Sequence, residues 1–328
     1  ARRAQVPMAQ KPDFETGVNY WANTEASVNG VLGGYGEGTP VPRLDATMSR
    51  LLILSLMPFL SNIIPPHSTS SVPPRPPKRT FRALDCGAGI GRVTSTVLLP
   101  LFDSVDLVEP VPSFVEQAKK DATAGKQGWA SLHPRRDEDG EEQRVKSVRI
   151  WRAGLQHFDP LAPSVPVPTS STLNPSVELY AKLDATEEGY DLIMIQWCIG
   201  HLSDEELAEF LKRSQKALRR SEEGKVEGYI IVKENTCKDT ETDGRLFDDE
   251  DSSITRSDAA FKAVFKRAGL KLLRSEVQQG FPRGTLSSTR LGWRRQQATD
   301  EENSSFSVSR AFPCRCIRFA MIMRFVSV

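Results

Sequence analysis

From residue 80 onward the chain predicts an α/β fold, a largely parallel sheet with helices on both faces, and three observations carry that prediction. Short apolar runs recur at Arg82–Cys86, Val105–Glu109, Val148–Ala153, Asp191–Gln196, Gly228–Val232 and about Leu270–Val277. Segments with helical spacing lie between several of them, and strand–helix alternation of this kind argues for parallel pairing. The first run ends in Asp85-Cys-Gly-Ala-Gly-Ile-Gly91, a glycine-rich turn of the type that joins a strand to a helix.

Taken in order, residues 1–13 are polar and read as a disordered N-terminus. Residues 14–64 read as a helical region, broken by the glycine-rich Gly30–Gly36. Its last part, Leu51–Ile64, is the most apolar stretch of the chain, yet it is too short to span a bilayer and holds Pro58 in its middle. It also lies too far in to be a signal peptide, so a buried helix is expected. Residues 65–79 form a Ser/Pro-rich loop, and residues 80–282 the sheet domain. Two polar insertions, near 125–146 and 160–186, are expected to be exposed loops.

Within the domain, Ser203 followed by Glu206 is a capping box, and Leu207, Phe210, Leu211 and Leu218 then share one helical face. A second helix opens at Ser257, with Phe261, Val264, Phe265 and Ala268 at core spacing and Gly269 as its stop. Residues 283–328 are an atypical tail, rich in Arg, Gln and Ser, with no clear alternating strand. The closing C-terminal hairpin that would complete the sheet has no support there, and the tail reads as the product of a faulty gene model. Ile317–Val326 has strand character without a register.

Composition excludes several classes. With 43 basic and 42 acidic residues there is no electrostatic case for nucleic acid or a membrane surface. An apolar fraction of 39% and a charged fraction of 26% are ordinary for a soluble protein. Five cysteines without paired CxxC motifs point to a reducing compartment. Cys314 and Cys316 are too close for a usual zinc pair and the four histidines are scattered, so no metal site is expected.

The glycine turn carries the chemistry. Gly87, Gly89 and Gly91 let the backbone turn tightly and bring main-chain N–H groups against a ligand, and the helix beyond offers unpaired amides and a positive dipole end. Glu109 closes the second apolar run, eighteen positions past Gly91, and an acid there suits ribose hydroxyls. Together they read as a site for an adenosine-bearing cofactor. The dinucleotide fingerprint would need its third glycine at position 92, which is Arg92. Gly-x-Gly-x-Gly after Leu84-Asp-Cys86 instead resembles motif I of the S-adenosylmethionine methyltransferases, with Glu109 as the acid of motif II.

A closer resemblance rests on further segments: Tyr20-Trp21, Val28-Asn-Gly-Val-Leu-Gly-Gly-Tyr-Gly36, Leu98-Leu-Pro-Leu-Phe102, Gly154-Leu-Gln-His-Phe158, Ile195-Gln-Trp-Cys-Ile-Gly-His-Leu202, Lys233-Glu-Asn235 and Asp248-Asp-Glu-Asp-Ser-Ser253. In this order they resemble the alpha-N-terminal protein methyltransferases, which modify proteins beginning Xaa-Pro-Lys once the initiator methionine is gone. The resemblance implies a Rossmann-like class I methyltransferase sheet with an N-terminal helical extension, and S-adenosylmethionine as cofactor. It implies cofactor contacts at Gly87, Gly89, Arg92, Glu109, Leu155, Gln156 and Gln196. His201 and Asp251 become the pair that assists amine deprotonation. Substrate contacts fall to Trp21, Leu32, Gly33, Trp197, Asn235, Asp248 and Ser253. A protein of this family is expected in the cytoplasm and also the nucleus, as a monomer or weak dimer whose partners are substrate N-terminal tails. Two alternatives stay open on sequence: a methyltransferase of the same fold acting on a small-molecule amine, or an inactive product of the C-terminal departure.

Overall fold

The structure is a computed structural model, and it describes residues 10–61, 79–126, 128–133, 146–168, 177–182, 189–239, 242–278 and 316–324. Helices α1 (Phe14–Ala22), α2 (Val28–Val31) and α3 (Val41–Leu56) precede strand β1 (Arg82–Cys86). Then come β2 (Ser104–Glu109), α4 (Pro112–Thr123), β3 (Ser147–Arg152), β4 (Glu178–Lys182), β5 (Leu192–Gln196) and α5 (Asp204–Ala217). Strand β6 (Tyr229–Cys237) leads to a hairpin of β7 (Arg245–Asp248) and β8 (Ser253–Ser257), followed by α6 (Asp258–Arg267), β9 (Lys271–Val277) and β10 (Cys316–Arg324).

The described strands form one sheet in the order β4-β3-β2-β1-β5-β6-β10-β9, with the β7–β8 hairpin attached to β6 through β8. Neighbours from β3 to β6 run parallel. Side chains alternate between two cores because successive residues of a strand point to opposite faces. Leu84 and Cys86 pack on the face covered by α5 and α6, with Phe210, Phe261 and Phe265. Ala83, Leu107 and Met194 pack on the other, with Ile53 of α3 and Val115 of α4. Every residue of β1, β2 and β5 is buried, the signature of central strands covered on both sides.

Both capped helices start where expected. Ser203 accepts from the Glu206 amide while Glu206 reaches back to the Ser203 amide, and Ser257 accepts from the Ala260 amide. Residue 269 has φ +74°, which glycine adopts without cost and which ends α6. The apolar N-terminal segment is helical, but the helix begins earlier, at Val41, and stops before Pro58. Among the described residues no helix is long and apolar enough to cross a membrane.

Three expectations are corrected. The closing element has a place: β10 lies antiparallel between β6 and β9, with Met321 opposite Val232 and Phe319 opposite Glu276. Long-range pairing supplied the register that the tail's composition hides. The insertion at 160–186 is not merely an exposed loop, since β4 within it extends the sheet antiparallel to β3. The insertion at 125–146 opens with Trp129 and Leu132 buried in the core. The Ser/Pro-rich residues 65–78 and the tail residues 283–315 lie outside the described residues.

Chain order reverses between β1 and β5, and in open α/β sheets ligands bind at the carboxyl edge of such a switch point. Deleting residues 316–324 would leave facing edges of β6 and β9 unpaired, a costly exposure. The shortened protein should lose its single cooperative thermal transition, as followed by circular dichroism. An unchanged melting midpoint would show that β10 contributes nothing.

Candidate active site

The switch point is lined first by the glycine turn. Gly87, Gly89 and Gly91 have φ +62°, +57° and +77°. Their surroundings differ. A Cβ at Gly87 would lie 2.3 Å from Cys198 Cβ, whereas one at Gly89 would meet only Val31 Cγ1, at 3.6 Å. Gly87 therefore lets the loop after β5 pack against the turn, and Gly89 opens toward the ligand's space. At the end of β2, Glu109 is buried and accepts from the Gly89 amide at 2.8 Å and the Val111 amide at 2.9 Å. Burial outweighs those two bonds and pushes its carboxyl up to about 7.

The segment after β3 forms a single 3₁₀ turn, Leu155–His157, with Leu155 and Gln156 buried. Arg213 of α5 holds this turn by its carbonyls, donating to Leu155 O, Gln156 O and Phe158 O at 3.1 Å each. Phe14 of α1 lies over it: a Cβ at Gly154 would come within 2.6 Å of the Phe14 ring. The ring also stands edge-on to His157, centroids 5.7 Å apart.

Asp45 of α3, wholly buried, ties together side chains from three other elements. Its carboxylate accepts from Arg92 at 2.7 Å and from Gln196 Nε2 at 2.9 Å, and it also pairs with Lys233. The two cations hold the Asp45 carboxyl below its ordinary value against the opposing effect of burial. Burial brings the Lys233 ammonium down to about 8. Arg92 and Lys233 each lie 5.6 Å from the ring of Trp197, within cation–π range. Trp197 itself has φ +54°, a left-handed conformation that a bulky residue rarely adopts. Its amide donates to Lys233 O at 3.0 Å, which helps hold the turn.

His201 ends the next 3₁₀ turn, Ile199–His201. Its Nε2 accepts from the indole of Trp21, on α1, at 2.9 Å. Gly17, one turn earlier on α1, gives the ring room, since a Cβ there would be 3.0 Å from Nδ1. Asp251 is on the turn of the β7–β8 hairpin, where Ser252 has φ +53° and its hydroxyl accepts from the Asp13 amide at 2.8 Å. Burial lowers His201 and the Asp251 charge partly restores it. Burial likewise raises Asp251, against a hydrogen bond from Ser253 and the His201 charge. Fully buried Arg256 joins the two: it bonds Asp204 Oδ1 at 2.8 Å, Ile199 O at 3.0 Å and Leu202 O at 2.5 Å. The strand that emerges from the Asp251 turn thus grips the turn that carries His201.

These walls enclose a cavity of about 130 Å³, lined by Gly87, Gly89, Arg92, Glu109, Leu155, Gln156 and Gln196, the seven expected cofactor contacts. Trp21, Trp197 and His201 also line it. Asp251, Asn235, Asp248 and Ser253 lie beyond its lining, and Asp248 is exposed on the acidic turn. Leu32 and Gly33 do not reach the cavity; Leu32 is buried in the protein and Val31 takes the lining place. Arg92 lines the cavity while its Nη1 is paired to Asp45. Sequence reasoning missed Asp45, Lys233, Phe14, Arg213 and Arg256. A charged residue on the apolar face of α3 was the one available signal, and it marks Asp45.

An S-adenosylmethionine fits this site on the chain's own terms. Space opens at Gly89 where any side chain would intrude, Glu109 retains acceptor capacity at the end of β2, and Gln196 Oε1 is buried without a partner among the described residues. Fold and site together define a class I S-adenosylmethionine-dependent methyltransferase. The family model described as AdoMet dependent proline di-methyltransferase matches residues 9–164 and 172–290, and the chain belongs to that family. It is 34% identical to alpha N-terminal protein methyltransferase 1 of Arabidopsis thaliana over 82% of this chain and 75% of that one. It is 32% identical to N-terminal Xaa-Pro-Lys N-methyltransferase 1 of Bos taurus, over 85% of this chain and 94% of that one. Among solved structures, a SAM-dependent methyltransferase from Leishmania major superposes with a TM-score of 0.54 at 30% identity, covering 82% of this chain and 78% of that one.

The two glycines predict different defects. Gly87→Val should lower the melting temperature through its clash with Cys198. Gly89→Val should melt closer to the parent and lose S-adenosylmethionine binding by calorimetry. Equal affinity in Gly89→Val and the parent would remove the ligand from this turn.

Proposed function

We propose that the chain methylates the α-amino group of proteins whose exposed N-terminus reads Xaa-Pro-Lys. One observation carries the reading. At the edge of the cofactor cavity and just beyond it, Trp197 Nε1, His201 Nδ1, Asn235 Oδ1 and Asp251 Oδ1 are all buried and lack hydrogen-bond partners among the described residues. Buried polar atoms are rarely left unpaired, and a peptide terminus brings both donors and acceptors to satisfy them. The names of the relatives, which act on Xaa-Pro-Lys termini, agree with this choice of substrate.

When bound, S-adenosylmethionine supplies a methyl group on a positively charged sulfur. The protein's part is to hold and discharge the amine. A terminal amine with a pKa of about 7.7–8.0 is mostly protonated at neutral pH and has no lone pair to offer. The His201–Asp251 pair faces that proton, and Asn235 anchors the first residue. Trp197, its ring fixed by the strained turn and flanked by two cations, offers a flat face to the second-position proline. Asp248 and Ser253 frame the acidic turn for the lysine ammonium. Trp21, with Val31 in place of Leu32 and Gly33, walls the channel. Alignment of the reacting atoms at about 3–3.5 Å supplies much of the rate. The same reading has the protein act as a monomer or weak dimer in the cytoplasm, with access to the nucleus. Size-exclusion chromatography and imaging of a tagged chain test those two points.

Labelled S-adenosylmethionine with an Ala-Pro-Lys or Ser-Pro-Lys hexapeptide should yield labelled peptide. No transfer to either peptide, alongside methylation of a metabolite extract, would make the substrate a small amine. Glu109 adds a pH signature. Its raised pKa penalises the ionised form in the free protein, so its contribution to stability falls as pH rises from about 4.5 toward 7. Ribose hydroxyls donate to the ionised form, so binding near pH 6 should release a proton. Calorimetry in buffers of different ionisation enthalpy should detect this release, and Glu109→Gln should abolish it. Release that survives in Glu109→Gln would assign the proton to another group.

A further inference from the structure

We propose that Trp21 fixes His201 in the tautomer that carries its proton on Nδ1, so that Asp251 and not His201 receives the proton of the substrate amine. The proposal deepens the methyltransferase reading above and rests on it. Trp21 Nε1 can only donate, and it donates to His201 Nε2 at 2.9 Å. A ring nitrogen that accepts a hydrogen bond holds no proton, so the neutral imidazole has its N–H on Nδ1. The opposite edge of the ring agrees. At Gly17 a Cβ would stand 3.0 Å from His201 Nδ1 and 3.4 Å from the main-chain oxygen of Asp251. The backbone of Asp251 and Ser252 favours a protonated ring edge on that side, and Nδ1 keeps its hydrogen-bonding capacity open in the free protein. The indole donor at Nε2 selects the tautomer, and a main-chain oxygen near the opposite edge is compatible with it.

A nitrogen base needs an unshared lone pair, and the one this ring has is occupied by the indole N–H. Protonating Nε2 would bring two N–H donors face to face inside the protein. Nor is the indole loosely held. It stands edge-on to the His201 ring, centroids 6.2 Å apart, and packs against Phe114 at 6.3 Å. The groups facing His201 from α1 are Gly17 and Trp21, both uncharged, and from the β7–β8 turn the Asp251 carboxylate, itself near Asp248.

Asp251 has what His201 lacks: Oδ1 is buried and unpartnered, with lone pairs available. Burial raises its basicity above that of an ordinary carboxylate and makes His201 a poorer base than a free imidazole. In the transfer the ammonium proton goes to Asp251, the freed nitrogen lone pair forms the bond to the methyl carbon, and the carbon–sulfur pair returns to sulfur. Trp21 is then a positioning residue that acts through His201, and His201 contributes a fixed N–H donor.

Nitrogen NMR on protein labelled in the histidine rings tests this without substrate, with His201→Gln identifying the signal among the four histidines. The expected result is an unprotonated Nε2 and a protonated Nδ1 that persist between about pH 6 and 8. In Trp21→Phe the ring should become a tautomer mixture and titrate closer to about pH 6.5. Kinetically, Asp251→Asn should lose about 100-fold or more of its turnover at neutral pH. That deficit should narrow above the amine pKa of about 8, and His201→Gln should lose less. Protonated Nε2 in the wild-type protein overturns the proposal, as does a larger, more pH-dependent loss in His201→Gln than in Asp251→Asn. A protein with the expected tautomer that methylates no peptide overturns the function instead.

Discussion

One buried carboxylate, that of Asp45, organises the carboxyl edge of this sheet. It comes from the N-terminal helices, outside the sheet proper, and it meets Arg92 after β1, Gln196 at the end of β5 and Lys233 in β6. Buried ion pairs contribute little net stability, because desolvation opposes the attraction between the charges. Their better-supported use is to specify one arrangement. Removing the charge would leave two cations facing each other across the site, so α3 has a single place to dock. Once α3 is docked, the loop carrying Gly30–Gly36 and the helix α1 before it are delivered to the mouth of the cavity.

Helix α1 then completes both halves of the site at once. Phe14 covers the turn that presents Leu155 and Gln156, Trp21 reaches His201, and the Asp13 amide is bound by the hydroxyl of Ser252, next to Asp251. Two arginines perform matching tasks from the opposite side. Arg213 gathers the carbonyls of one 3₁₀ turn and Arg256 those of the other, so each turn is held by its backbone while Leu155, Gln156 and His201 line the cavity. Such support is what keeps a catalytic constellation within useful tolerance.

Much of this was legible in the sequence, for identifiable reasons. The alternation of apolar runs gave the central strands, because parallel strands covered on both faces must be continuously apolar. The capping box at Ser203 and the glycine at 269 gave helix limits, since these depend on local backbone chemistry alone. The glycine turn and Glu109 pointed to the ends of β1 and β2, where the structure has both lining the cavity. What stayed hidden was non-local. Neither β4 nor β10 has a pattern that announces its pairing, and both are edge or closing strands whose register comes from a neighbour. Arg213 and Arg256 read singly as ordinary surface charges, and Asp45 stands out only by its place on an apolar helix face. Only the folded chain shows that Asp45 and Arg256 are buried, and that all three are bound to carbonyls or opposite charges far away in sequence.

The position of β10 has a consequence for how the protein is made. It fills the gap between β6 and β9, yet it is encoded well downstream of both. During synthesis the cofactor half can assemble early, since β1 to β6 and their helices have all left the ribosome. The facing edges of β6 and β9 must wait with unpaired backbone groups until residues 316–324 appear. That interval is when the nascent polypeptide is most exposed to wrong partners, and when a chaperone would have the most to protect.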